Sequence, residues 1–74
     1  RAGKREPAIE LYRAVLSRWP DDATTHNNLG VALAAGGDLA AAAHHFDRAV
    51  ALRPDYADAV RNLDMARRAR GGQP

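Results

Sequence analysis

Residues 21–54 read DDATTHNNLGVALAAGGDLAAAAHHFDRAVALRP, and this stretch decides the fold. Two alanine-rich segments lie on either side of Gly36-Gly37. Paired glycines favour a sharp turn, and an aspartate directly after them can accept hydrogen bonds from the free amides that open a helix. We therefore predict helices over about 23–35 and 39–52, with the turn between them and Asp38 capping the second.

The apolar residues place one packing face on each of these helices. Residues of one helical face recur three and four positions apart. The two faces consist of His26, Leu29, Gly30 and Leu33, and of Leu39, Ala42, Ala43, Phe46, Ala49 and Val50. Because Gly30 and Ala42 lack bulk, the two helices can approach closely, and we expect Phe46 to fill the space beside them.

The same pattern recurs at a fixed period along the chain. Sliding the chain by 34 residues compares 40 pairs, of which ten are identical, where roughly four are expected by chance, and such a period is typical of stacked helix pairs. The identical pairs include Pro20/Pro54, Asp21/Asp55, Asn28/Asn62, Leu29/Leu63 and Ala32/Ala66. Helices are accordingly predicted over about 5–18 and 57–70, the latter preceded by Pro54-Asp55 as the central pair is preceded by Pro20-Asp21-Asp22.

The period also predicts the domain organisation of this all-α chain. We expect one domain, made of a second helix of a truncated repeat (1–20), a complete repeat (21–54), a C-terminal capping helix (55–70) and a tail (71–74). In this phasing Gly3 is a turn and Pro7 lies in the first helical turn, where its missing amide is harmless. The helix before Gly3 is then missing, either because the chain is a fragment or because residues of its parent were removed or disordered.

The signature residues carry a family resemblance. His26-x2-Leu29-Gly30-x2-Leu33…Ala42-x3-Phe46…Pro54 resembles the tetratricopeptide pattern W-x2-L-G-x2-Y…A-x3-F…P, with His26 and Leu33 replacing its aromatic residues. The resemblance implies antiparallel helix-turn-helix hairpins stacked as a short α-solenoid. It also implies a non-catalytic protein-interaction module whose first helices line a concave side that binds extended peptides.

The resemblance implies a set of peptide-binding residues on the first helices. They are Asn27, Asn28, Val31, Arg61, Asn62, Met65 and Arg68. Asn28 and Asn62 fall at the same turn of successive hairpins, and side-chain amides both donate and accept hydrogen bonds, so a row of them can hold a peptide backbone. Such asparagine ladders line the repeats of O-linked N-acetylglucosamine transferase-like proteins, which this repeat resembles locally. The alternative is that these asparagines hydrogen-bond within the scaffold.

The remaining groove residues suggest the kind of peptide. Val31 and Met65, with Ala34 and Ala35, predict a shallow apolar floor, and Arg61 and Arg68 flank it. A segment with small apolar residues and an acidic group would fit such a surface, whereas arginines in water are more often merely solvated.

Self-association is an alternative function. The apolar side of the first helix has no preceding helix to pack on, so a second copy is expected to cover it. The residues of this predicted homo-oligomer contact are Ile9, Tyr12, Val15, Leu16 and Trp19. A parent chain that supplies the missing helix is the competing explanation.

Composition and charge argue against other classes of protein. The chain has no cysteine, and 17 of its 34 apolar residues are alanine, so no disulfide framework is possible and the core is thin. No secretory signal or membrane-spanning run is visible, which favours a cytoplasmic location without deciding it. Along the chain a basic segment is followed by an acidic and then by another basic segment, and aromatic residues are scarce. A basic surface for RNA or another polyanion, built on Arg67, Arg68 and Arg70, is therefore the weaker alternative.

No chemistry of its own is expected. Ser17 has no neighbouring base, and no glycine-rich phosphate loop follows a strand. The adjacent His44 and His45 point about 100° apart on a helix, neither has a His, Asp or Glu four residues away, and Asp47, three after His44, makes only a weak pair, so we predict neither a metal nor a cofactor. His26 is expected to replace a packing tryptophan, and His44 to lie on the convex surface.

Overall fold

A computed structural model describes the backbone of residues 2–71 and the side chains of residues 7–71. This part of the chain contains four α-helices and no strand. The helices are α1 (Ala2–Arg18), α2 (Ala23–Ala35), α3 (Leu39–Leu52) and α4 (Ala57–Gly71). Each helix packs on the next one along the chain, and α2 also contacts α4. The predicted all-α stack of helical hairpins is confirmed, and the described helices fill a slab of 37 × 31 × 15 Å.

The turns before α2 and α4 show the period of the sequence in the backbone. Before α2, the amide of Asp22 donates to the carbonyl of Trp19 at 3.2 Å; before α4, the amide of Tyr56 donates to the carbonyl of Arg53 at 3.0 Å. The two donors are separated by one full period of the repeat, and so are the two acceptors. The chain therefore enters successive first helices through the same turn, which stacks α4 beside α2.

The core lies where α2, α3 and α4 meet. It consists of Leu29, Leu33, Ala42, Ala43, Phe46, Leu63 and Ala66. Leu29 is fully buried, and a Cβ built on Gly30 would lie 2.6 Å from the Cδ1 atom of Phe46. The predicted role of Gly30 is confirmed, because only the absence of a side chain leaves room for the Phe46 ring between α2 and α3.

Two helix starts differ in how they are capped. Gly37 adopts the left-handed region at φ +92°, and the Asp38 carboxylate accepts a hydrogen bond from the Ala41 amide at 3.1 Å, as predicted. Asp22 also stands at the cap position of α2, but its carboxylate accepts from the Thr25 hydroxyl at 2.9 Å instead of from a backbone amide. The Asp22 side chain therefore does not cap the backbone amides of α2 and holds the Thr25 hydroxyl instead.

The first helix is longer than expected. Because α1 begins at Ala2, Gly3 lies inside the helix and Pro7 lies beyond its first turn. The turn predicted at Gly3 is therefore wrong. The neighbouring Ala2 and Lys4 are good helix formers, and Pro7 forfeits one backbone hydrogen bond without ending the helix. Of the predicted tail, Gly71 ends α4 and residues 72–74 lie outside the described part.

The apolar side of α1 is largely covered. Ile9, Tyr12 and Leu16 are half-buried and pack against the core cluster, so this face is partly covered within the chain, and the predicted contact with a second copy stays a prediction. Val15 is half-buried as well. The large apolar side chains that α1 and its following turn expose are Leu11 and Trp19, at 62% and 58%. The helical period predicted correctly which residues of α1 share an apolar side, but α2 already packs against part of that side.

Candidate functional site

A shallow hollow of about 200 Å³ lies between α2 and α4. It is lined by Val31, Ala34, Phe46, Asn62, Met65 and Ala66. Three of these, Val31, Asn62 and Met65, are among the residues predicted to bind a peptide. Val31 and Met65 are exposed at 48% and 62%, which is high for large apolar side chains. The hollow therefore presents an apolar surface to solvent.

Helical spacing and the close α2–α3 contact together build this hollow. Asn62, Met65 and Ala66 are three and four residues apart, so they share one face of α4, as Val31 and Ala34 share one face of α2. Phe46 comes from α3 and reaches the hollow beside Gly30. The sequence pattern assigned Phe46 to the core alone, and nothing in its spacing indicated that the buried ring also lines the hollow.

The amides predicted to form a row are arranged differently. Asn62 Nδ2 donates to Asn27 Oδ1 at 3.0 Å, and Asn27 Nδ2 donates to the Tyr56 hydroxyl at 3.4 Å. Asn27 is only 6% exposed, so it belongs with the packed residues of α2 and not with its free ones. Asn28 is exposed and does not line the hollow, and its part in binding stays a prediction.

The two predicted arginines of the groove already have partners. Arg61 forms an ion pair with Asp58, and Arg68 Nε lies 3.1 Å from Asp64 Oδ2. All four side chains are exposed, so each pair contributes little to stability. The aspartates nevertheless offset the positive charge beside the hollow, which weakens the expectation that a ligand carries an acidic group there.

A second polar cluster joins α2 to α3. His26 Nε2 lies 2.8 Å from the carbonyl oxygen of Pro20, and His26 Nδ1 lies 3.1 Å from His45 Nδ1. A carbonyl only accepts, so Nε2 of His26 carries the proton and its Nδ1 is the acceptor. His45 must then donate from Nδ1. Both ring nitrogens of His26, the buried imidazole that replaces the signature tryptophan, are therefore hydrogen-bonded.

The surroundings of His45 keep it neutral. Burial, followed by the neighbouring His26, His44 and Arg13, lowers the pKa of His45 from 6.5 to about 4. A charged imidazole there would lose hydration and lie beside the Arg13 guanidinium and the rings of His26 and His44, on three helices. The predicted packing role of His26 fits this arrangement, whereas its partnership with His45, which lies on the next helix, had no signal in the sequence.

The histidines do not assemble a metal centre with other ligands. Among residues 7–71, no group of three or more His, Cys, Asp or Glu side chains is placed to hold an ion. His44 is exposed and contacts the ring of His45 edge-on at 5.1 Å. The hydrogen bonds of the pair already use His26 Nδ1, His26 Nε2 and His45 Nδ1.

Comparison with known proteins places the chain in a family. A model of the tetratricopeptide repeat matches residues 1–57. The chain therefore belongs to the tetratricopeptide repeat family, whose members are generally protein-interaction modules. The match agrees with the repeated backbone turns before α2 and α4 and with the glycine-to-phenylalanine contact of the signature.

A curated relative is Protein FlbA of Caulobacter vibrioides (strain ATCC 19089 / CIP 103742 / CB 15). It is 36% identical over 64 residues, which is 86% of this chain. The chain spans only 11% of the length of that relative. No solved structure matches significantly. None of the four described helices is both long and apolar enough to cross a membrane.

Proposed function

We propose that this chain binds an extended peptide segment of a partner protein over the hollow between α2 and α4. The observation that carries the proposal is the composition of that hollow. Val31 and Met65 are large and apolar, are exposed at 48% and 62%, and line the hollow together with the half-buried amide of Asn62. A few polar groups set in an apolar surface are typical of binding sites.

The binding is attributed to the concave side of the solenoid, which the first helices α2 and α4 line. No catalytic step is assigned to the chain. Arg61 and Arg68 lie outside the hollow and are paired with aspartates, so they act at its rim as part of a mixed-charge border. Asn28 is exposed on α2 and would contact a segment that extends beyond the hollow.

A pair of matched valine variants tests the location of the site. Val31 and Val60 are exposed to a similar degree, 48% and 45%, and stand on equivalent first helices, but only Val31 lines the hollow. A library of N-acetylated, C-amidated octapeptides would be screened against the wild-type chain. We expect Val31→Glu to weaken the strongest binder roughly tenfold or more and Val60→Glu to change it less than about twofold.

Equal losses in both variants, with unchanged helicity by circular dichroism, would place binding elsewhere. A library without any binder would remove the proposed peptide-binding function altogether. Met65→Glu provides an independent variant on α4, because the Met65 side chain is exposed at 62% and lies outside the core cluster.

A further inference from the structure

Met65 carries the one sulfur atom of the chain. The sequence contains a single methionine and no cysteine. Met65 is 62% exposed on α4, and it lines the hollow between α2 and α4. Peroxides oxidise thioethers to sulfoxides, and an exposed sulfur is accessible to them. The oxidisable sulfur of the chain is therefore open to solvent at the proposed binding site.

Oxidation converts this apolar side chain into a polar one. A lone pair of the Met65 Sδ atom attacks one oxygen of hydrogen peroxide, the O–O bond breaks, and a new S–O bond forms. The sulfur loses two electrons, and the peroxide is reduced to one molecule of water, which keeps both of its hydrogens. The sulfoxide oxygen accepts hydrogen bonds, whereas the thioether sulfur is only a weak acceptor.

The lining of the hollow makes this change of polarity matter for binding. Five of its six lining residues are apolar, and the sixth is Asn62 with its half-buried amide. A polar group that is covered without a hydrogen-bond partner costs free energy. A sulfoxide at Met65 has to give up water when a ligand covers it, and an apolar ligand group offers no donor in return. Oxidation therefore opposes the docking of apolar segments.

The fold does not depend on the Met65 thioether. Met65 lies outside the core cluster, to which α4 contributes Leu63 and Ala66. Oxidation of a methionine inside a core disrupts its packing, whereas a sulfoxide at an exposed position stays hydrated in the free protein. The change therefore acts on the affinity of the hollow and leaves the helices in place.

We infer that Met65 is a modification site, at which oxidation to the sulfoxide by a hydroperoxide reversibly weakens the binding of apolar peptide segments to the hollow. This inference rests on the proposed function and adds a regulation of the same site. Methionine sulfoxide reductases A and B, which each act on one epimer of the sulfoxide, return the thioether and with it the apolar surface.

The experiment compares the oxidised and the untreated chain. The probe is the strongest octapeptide binder of the library described above that lacks methionine, cysteine and tryptophan, and it is added after the hydrogen peroxide has been removed. Peptide mass spectrometry verifies that one oxygen atom has been added at Met65 and none at Trp19. We expect oxidation to weaken binding roughly tenfold, and both reductases together to return the affinity to within about twofold of its starting value.

Two variants separate the position of the sulfur from other effects of peroxide. Met65→Leu has no thioether, so peroxide treatment should change its affinity less than about twofold. Adding Val60→Met to Met65→Leu moves the sulfur to another exposed position of α4, where Val60 is 45% exposed and does not line the hollow. Oxidation of this double variant should also change the affinity less than about twofold. Each variant is compared with its own untreated form, so that an effect of the substitution itself cancels.

The oxidised wild-type chain should keep its helicity by circular dichroism and its urea midpoint. A clear decrease of either would overturn the inference, because binding would then be lost through the fold. An unchanged affinity after oxidation, an equal loss in either variant, or an affinity that stays low once mass spectrometry shows the sulfoxide reduced would contradict it too, while leaving peptide binding intact. A library without a binder removes the proposed function and this inference with it.

Discussion

The contact between Gly30 and Phe46 shows how one residue controls the packing of two helices. A Cβ on Gly30 would overlap the Phe46 ring, which is itself only 3% exposed and has no room to move away. Overpacking in a well-packed core forces side chains off their rotamers or moves the backbone. The glycine is therefore needed for its lack of volume and not for an unusual backbone conformation.

Gly30→Ala is expected to destabilise the chain by about 1–3 kcal/mol in urea unfolding, because α2 and α3 must separate to admit a methyl group. Gly71→Ala is the matched control, since no atom lies within 4 Å of the place that a Cβ would take there, and it should change the free energy of unfolding by less than about 0.5 kcal/mol. Adding Phe46→Leu to Gly30→Ala should cost less than the two single variants together. Strict additivity would contradict this explanation.

His45 provides a residue-scale prediction about pH. The folded chain holds its pKa at about 4, below the ordinary 6.5, so the unfolded chain takes up the proton first as the pH falls. Neutral His45 makes its full contribution to the free energy of unfolding above about pH 6.5, and this contribution decreases towards pH 4. After allowance for the partial exposure of His45, we expect the free energy of unfolding to fall by about 1–2 kcal/mol across that range.

Urea unfolding between pH 4 and pH 7.5 measures this effect. His45→Gln should flatten the pH dependence, because an amide can still donate to His26 Nδ1 without titrating. His44→Gln should keep most of the slope, since the burial of His45, the largest cause of its low pKa, is unchanged. An unchanged slope in His45→Gln would show that another group titrates.

At the scale of the elements, the helix starts differ in whether their aspartates cap the helix. Asp38 accepts directly from the Ala41 amide, whereas Asp22 holds the Thr25 hydroxyl. Asp55 stands in the turn before α4, with Tyr56 between it and the first helical residue. Three similar aspartates therefore occupy three different local roles.

Asp38→Ala should lower the free energy of unfolding by about 1 kcal/mol, because the opening amides of α3 lose their acceptor. Asp55→Ala serves as the comparison and should lower it by less than about 0.5 kcal/mol. Thermal and urea unfolding of both variants provide the measurement. Asp38→Asn should restore most of the loss, since its amide oxygen can cap as well. Equal losses at Asp38 and Asp55 would be inconsistent with the capping explanation.

At the scale of the whole molecule, the distribution of charge separates peptide binding from polyanion binding. The exposed arginines of α4 that flank the hollow are paired with aspartates, and the molecule carries a net charge of only +2. We expect the affinity for the octapeptide binder to change less than about threefold between 50 mM and 200 mM NaCl. Proteins that neutralise many phosphates lose orders of magnitude over this range.

A single-stranded RNA of twenty uridines tests the polyanion alternative in the same buffers. Saturable binding that weakens steeply with salt would favour the basic surface predicted around Arg67, Arg68 and Arg70. Self-association likewise stays a prediction. The exposed Leu11 and Trp19 are the apolar groups available for it on α1 and the turn that follows, and light scattering of the wild-type chain and Trp19→Ser would detect it.

The sequence by itself determined the helices and their stacking. The fixed period, the glycine turn and the positions of Leu29, Gly30 and Phe46 carry that information because they act through local backbone preference and the 3.6-residue repeat. The start of α1 was less predictable, since Gly3 and Pro7 have unfavourable helical preferences that their neighbours overcome.

Only the tertiary structure decided which side chains meet. The packing face predicted for α2 left both Asn27 and Asn28 outside it, yet the former is buried against Asn62 and the latter is exposed. The pairing of His26 with His45 likewise joins residues from different helices. Periodicity fixes the direction of a side chain around its own helix, whereas the offset between neighbouring helices depends on how their side chains pack, and that offset determines each contact.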